Sequence, residues 1–178
     1  MKVGTVIQVR SFSEYLVKAP LEECDGYQAV SCIPAGTFLS IGSARGSVIG
    51  IVAGIQHDIK EEYLPYISEE KREIFIPYVN DYKSSYLMIK GIGNIKDGKA
   101  IQRLAFAPVV NDVAEVMGSE DIRAFHMPGG RPSFSYYRKL SSSLDPSIMS
   151  AVIDRLSEAI PESRAMLAAL KKYMERQS

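Results

Sequence analysis

Ser47-Val48-Ile49-Gly50-Ile51-Val52-Ala53-Gly54-Ile55-Gln56-His57 is the longest run in the chain that reads as β-strand. Side chains alternate along a strand. Ile49, Ile51 and Ile55 therefore share one face, and Val48, Gly50, Val52 and Gly54 share the other. Neither face carries a charge, which predicts burial on both sides. Glycine within a strand marks a bend or a close backbone approach. A long, bent, two-sided strand suits a small closed barrel. The isoleucine face is expected to fill the barrel interior. The Val48, Gly50, Val52, Gly54 face is then expected to lie under an insertion, the C-terminal helices or a neighbouring subunit, which makes those four residues interaction candidates.

Other strands can be set around this one. Val3, Thr5, Ile7 and Val9 alternate with polar or small residues, as in a half-buried strand. Ser11–Ser13 can turn the chain into a returning strand at 14–18, stopped by Pro20. A polar loop at 21–26 and a short strand at 27–32 follow. Pro34-Ala35-Gly36 has turn chemistry, and Thr37–Ile41 reads as strand. Tyr86–Gly93 is a further strand. In Lys96-Asp97-Gly98-Lys99, Asp-Gly favours the positive backbone angles of a type I′ turn, so Ala100–Phe106 is read as the partner strand. Val109–Val116 reads as an extended connection, and Ser119–Phe125 as a short capped helix.

The period then changes. Pro128-Gly129-Gly130-Arg131-Pro132 is the best domain boundary in the chain. Asp145 is an N-cap with Pro146 at the first helical position. Ile148, Met149, Val152, Ile153, Leu156 and Ile160 form an apolar stripe, and Leu167, Leu170, Tyr173 and Met174 form a second one beyond Pro161. The expected architecture is mainly β with α: a small six-stranded β-barrel, an acidic helical insertion and a C-terminal α-helical appendage. Its expected limits are a barrel over 1–127 with the insertion at about 58–85, a linker over 128–146, and a helical hairpin over 147–178.

Composition narrows the function classes. With 21 basic and 21 acidic residues the net charge is zero, so no global signature for nucleic acid or membrane exists. Charge is nevertheless segregated. Residues 57–82 carry a net charge of −4, and residues 131–178 carry +3, so these two regions could pair. No run approaches the roughly 18 apolar residues that cross a bilayer, and no signal peptide is expected. Two cysteines, Cys24 and Cys32, make no disulfide framework. A cytoplasmic protein is the expectation.

Val3-Gly4-Thr5-Val6-Ile7, Phe12, Tyr15-Leu16-Val17, Thr37–Ile41 and Val48–Val52 together resemble the HAS barrel. That six-stranded barrel precedes the motor domain of HerA-type ATPases and forms the crown of rotary ATP synthase subunits. Ala107-Pro108, Val113 and Gly118–Phe125 are similar to the exit and short acidic helix that follow the barrel in HerA-like proteins. HerA-type proteins then continue into a RecA-like core, whereas about fifty residues of helix follow here, too short for such a domain. The resemblance therefore implies a non-catalytic oligomerisation or docking module without its motor. As partners it implies a homo-oligomer or a HerA-like DNA-translocating ATPase, together with the NurA-type nuclease of DNA-end processing.

Gly93–Ala100 has the Gly-x4-Gly-Lys spacing of a phosphate-binding loop, but Ala100 stands where a magnesium-binding hydroxyl belongs. The residues that follow read as strand, whereas such a loop must open a helix, so a hairpin is expected. His57 and His126 are the only histidines, and no motif supplies either with a nucleophile. The cysteines lack zinc-site spacing. No cofactor, metal or catalytic residue is assigned. Arg131-Pro132-Ser133-Phe134-Ser135-Tyr136-Tyr137-Arg138-Lys139 interleaves bases and aromatics, so Arg131, Tyr136, Tyr137, Arg138 and Lys139 are further interaction candidates. They could stack on and neutralise single-stranded nucleic acid. The preferred alternative is a linker whose aromatics pin the helical tail to the barrel. A nucleic-acid-binding barrel is thus the second functional reading. An enzyme with a site between subunits, His57 being the first residue to test, is the third.

Overall fold

The computed structural model describes residues 1–59 and 83–175. The strands are β1 (Lys2–Ser11), β2 (Glu14–Ala19), β3 (Phe38–Ser43), β4 (Gly46–Ile59), β5 (Lys83–Lys96), β6 (Lys99–Ile101) and β7 (Val113–Val116). They form one antiparallel sheet in the order β2-β1-β7-β3-β4-β5-β6, and β2 also pairs with β5. That last pairing closes six strands into a barrel and leaves β6 outside as an extra strand. The closing ladder runs from Glu14 opposite Lys90 to Ala19 opposite Ser85. The four helices among the described residues are α1 (Ser119–His126), α2 (Tyr137–Ser141), α3 (Pro146–Ala159) and α4 (Arg164–Glu175). The expected acidic helical insertion, between β4 and β5, lies outside the described residues.

Strand β4 is central and buried on both faces, but the faces are the reverse of the sequence expectation. Val48 and Val52 point into the barrel beside Val3, Val6, Val17, Leu39, Leu87 and Ile89. Ile49 and Ile51 point out, into a second cluster with Phe38, Phe125, Tyr136, Leu140, Met149 and Val152. A six-stranded barrel is narrow, and the small residues of β4 are the ones that fit inside it. A Cβ on Gly50 would stand 2.5 Å from the Ile89 side chain. Register shifts between Ile49 and Gly50 and between Val52 and Gly54 bend the strand. Beyond the second shift Ile55 is exposed rather than interior.

Loops complete the interior. The segment after β2 forms a short 3-10 turn at Val30–Cys32 instead of the expected strand, and it lends Val30 and Ile33 to the barrel core. The hairpin at 96–99 forms as expected, with Asp97 at φ 49° and Gly98 at φ 71°, both in the left-handed region that this turn requires. Its second strand ends at Ile101, because the chain then turns inward and buries Phe106 in the barrel. Asn94, fully buried on β5, holds that path. Its Nδ2 donates to the Phe106 carbonyl (3.1 Å), and its Oδ1 accepts from the amides of Ala105 (2.6 Å) and Phe106 (3.3 Å). Val113–Val116, read from sequence as an extended connection, is the strand that joins β1 to β3.

The helices cover the outward isoleucines. Asp145 caps α3, its carboxylate accepting from the Ser147 amide at 2.8 Å. Pro161 starts a 3-10 turn between α3 and α4, helices that an ion pair from Lys171 to Asp154 at 2.6 Å holds together. Residues on both sides of Pro128–Pro132 enter the same outer cluster.

Candidate functional site

The interaction candidates divide cleanly by burial. Val48, Gly50 and Val52 lie inside the barrel wall and offer nothing to a partner. Gly54 is partly exposed, on the stretch of β4 beyond the second register shift. Of the 131–139 segment, Arg131, Arg138 and Lys139 are exposed, whereas Tyr136 is buried and Tyr137 half-buried. Tyr136 therefore presents no face for a base to stack on. Together with Phe134 it anchors the segment to the outer cluster, which is the pinning role preferred from sequence.

His126 is the centre of that anchor and is fully buried. Its Nδ1 lies 2.7 Å from the Ile122 carbonyl, and its Nε2 2.6 Å from the Tyr136 hydroxyl. A carbonyl can only accept, so Nδ1 carries the proton and Nε2 accepts from Tyr136. Phe134 stacks on the ring, while Phe38, Phe125 and Tyr136 meet it edge-on. Burial holds the imidazole pKa down to about 4, against a smaller opposing effect of the Ile122 carbonyl. This histidine is neutral, sealed and structural.

His57 sits at the far end of β4, directly opposite Ser85 on β5. Its Nδ1 lies 2.8 Å from the Ser85 hydroxyl, a serine–histidine pair in outline. The serine side of that pair is closed: Ser85 is 1% exposed. A nucleophile must reach its electrophile in line, and this hydroxyl is covered by the ladder that holds it. Among the described residues, no three His, Cys, Asp or Glu side chains gather as a metal site would require. Cys24 and Cys32 are free and exposed. The phosphate-loop look-alike at 93–100 is the β5–β6 hairpin, so its amides open no helix.

Two surfaces stand out, one missed by sequence spacing and one only partly marked by it. The first is an open strand edge. Strand β1 pairs with β7 only through Thr5, and the turn at 109–112 extends this contact to Val6. From Ile7 onward β1 keeps its ladder, among the described residues, with β2 alone. Ile7 and Val9 on this stretch are each 37% exposed, and Val109 and Val110 in the abutting turn are 60% and 52% exposed. The alternation of Val3, Thr5, Ile7 and Val9 marked all four as one core face. The bulge between Val6 and Gln8 breaks that continuity.

The second surface is a basic groove. A cleft of about 430 Å³ lies between the barrel wall and α2, with Phe12, Lys90, Arg103 and Lys139 along it. Ser135 and Lys139 also line a larger groove of about 1080 Å³ between α2, α3 and α4, where Arg138 joins. Lys90 is paired with Glu14 across the barrel seam, and the lysine holds the Glu14 carboxyl below its ordinary pKa. The sequence marked Arg138 and Lys139 but not Lys90 on β5 or Arg103 in the loop after β6, which only the fold brings to them.

The residues thus define a closed antiparallel barrel jacketed on one side by helices, with an open edge and a basic groove as its exposed features. Compared with the models of known protein families and with curated protein sequences, the chain finds no match. No helix among the described residues is long and apolar enough to cross a membrane.

Proposed function

We propose that the chain is a non-catalytic oligomerisation or docking module of the HAS-barrel kind, acting in the cytoplasm. Its partner would be a second copy of the chain or a HerA-like DNA-translocating ATPase with its nuclease. The open edge of β1 carries this reading. Soluble barrels hide their edges by closure, and a strand with one unpaired side is a template for another strand. Exposed Ile7 and Val9 stand beside this edge, next to Val109 and Val110, with Arg10 as the charged residue of the stretch. Strand addition at such an edge gains main-chain hydrogen bonds along with apolar burial. The six-stranded antiparallel barrel followed by a short acidic-start helix is what the HAS resemblance implies, and it supports the same reading.

Molar mass in solution tests it. The full chain is expected to sediment well above its 19.7 kDa monomer mass, with a concentration-dependent average. Val9→Lys combined with Val110→Lys is expected to return it to monomer with an unchanged far-ultraviolet spectrum. Where self-association is absent, a HerA-like hexamer should co-sediment with the wild type and not with the double variant. A wild-type monomer that ignores the hexamer would sink the reading.

A further inference from the structure

We propose that the basic groove between the barrel and α2 binds single-stranded nucleic acid, a site separate from the open edge of β1. Sign segregation is the first ground. The chain as a whole is balanced, yet among the described residues the charged ones lining the cleft and the groove are Lys90, Arg103, Arg138 and Lys139, with no Asp or Glu. Lys90 is engaged by Glu14 at the seam. Arg103, Arg138 and Lys139 form no ion pair among the described residues. Three cations around two neighbouring cavities that share Lys139 hold a local positive potential that overall neutrality conceals.

The second ground is preorganisation. Gln102 fastens the groove wall to the end of the extra strand. Its Nε2 donates to the Ser133 carbonyl at 2.6 Å, and its Oε1 accepts from the Ser135 amide at 3.0 Å. Tyr136 and Leu140 root α2 in the outer cluster. Arg138 and Lys139 are thereby carried on a wall already in place, so a ligand need not order it.

The third ground is an aromatic at the mouth. Phe12 is 55% exposed at the tip of the β1–β2 hairpin, where the Tyr15 hydroxyl donates to its carbonyl at 2.7 Å and fixes the turn. An exposed ring beside a row of cations is the arrangement that receives an unpaired base next to its phosphates. Paired bases cannot stack on such a ring, and an acidic polypeptide makes no use of it. Those two features favour a single strand over a duplex or a protein tail. This relocates the nucleic-acid reading of residues 131–139: the cations serve, and Phe12 replaces the buried Tyr136 as the stacking platform.

The test is fluorescence anisotropy of a labelled twenty-nucleotide oligo(dT) with the full chain across a salt series. Three neutralised phosphates predict a slope of log affinity against log salt near −2, at about −0.7 per phosphate. Arg103→Gln with Lys139→Gln should weaken binding by at least ~10-fold in low salt and flatten the slope by roughly 1.4. Both side chains are exposed, so folding is not at stake. Phe12→Ala should weaken binding about tenfold with the slope unchanged. Lys96→Gln with Lys99→Gln, on the exposed β5–β6 hairpin, should match wild type. Three outcomes overturn the proposal: no binding in low salt, equal losses from the groove and hairpin pairs, or displacement of the oligonucleotide by poly-glutamate or a mononucleotide as readily as by unlabelled strand. None of these depends on oligomeric state, so failure here and failure of the docking reading are told apart.

Discussion

The two faces of β4 are built from different residues and answer to different neighbours. Inward, Val48, Gly50 and Val52 meet other strands across a narrow barrel. Outward, Ile49 and Ile51 meet helices that arrive from the C-terminal third of the chain. The inner face is constrained by closure, since every strand must fit its opposite without a void. The outer face is constrained only by what covers it. The longer side chains went to the side with room, and the burial that secures the helical layer is therefore written into the barrel's central strand.

One substitution on each face separates the two layers. Gly50→Glu places a carboxylate where even a Cβ would collide with Ile89, and it leaves that charge buried without a partner. The expected cost is at least about 4 kcal/mol, from overpacking together with an unpaired buried charge, so little soluble folded protein should remain. Ile51→Ala, its neighbour on the outer face, leaves a cavity under the helices and should cost about 3 kcal/mol while the barrel still closes. Chemical unfolding of both variants, followed by far-ultraviolet dichroism, measures the difference. Equal stabilities would mean that the two faces are not distinct layers.

How far the sequence carried this picture follows from where its signals are local. The Asp97-Gly98 turn and the Asp145 cap depend on residues within a few positions of each other, and both form as expected. The barrel itself followed from a strand uncharged on both sides. That same lack of charge hid which side faced inward, because no polar face marked the exterior. Val113–Val116 is only four residues long, and its partners lie about 75 to 110 residues away, so nothing nearby signalled a strand. Asn94 sits inside the phosphate-loop look-alike, where spacing drew attention to the glycines and Lys99. Its work is to bind the 105–106 backbone, a contact no motif encodes. The groove was half legible: Arg138 and Lys139 were named, but Lys90, Arg103 and Phe12 reach it only through the fold.

Acid should act on the outer layer through His126. The unfolded histidine titrates near 6.5, whereas burial holds the folded one to about 4. Between those values the unfolded chain binds more protons than the folded one, so stability falls as pH falls. It is complete above about 6.5 and lost progressively toward 4, by about 3 kcal/mol over the whole window. Unfolding midpoints in urea across that range should decline accordingly, and the His126 ring resonances should stay unshifted until the pH nears 4. A titration midpoint close to 6.5 for this ring would show that the outer cluster admits water.

The smallest expected effect separates two adjacent tyrosines that sequence could not distinguish. Tyr136 and Tyr137 were both candidates for contact with a partner. Tyr136 donates its hydroxyl to His126 Nε2 at 2.6 Å within the outer cluster, and burial pushes its pKa up. Tyr137 reaches the Leu170 carbonyl at 3.5 Å, beyond good hydrogen-bond length, and is half-buried. Tyr136→Phe keeps the ring but strands a buried imidazole acceptor, which should cost about 2 kcal/mol. Tyr137→Phe should stay within about 0.5 kcal/mol of wild type. Thermal unfolding of the two single variants at pH 7 decides between them. The difference should shrink in a His126→Phe background, because Tyr136 then has no ring nitrogen to serve and its hydroxyl becomes the stranded group. A gap that survived there would mean that the Tyr136 hydroxyl acts through a group other than His126, and the histidine would be a passenger of the outer layer rather than its fastening.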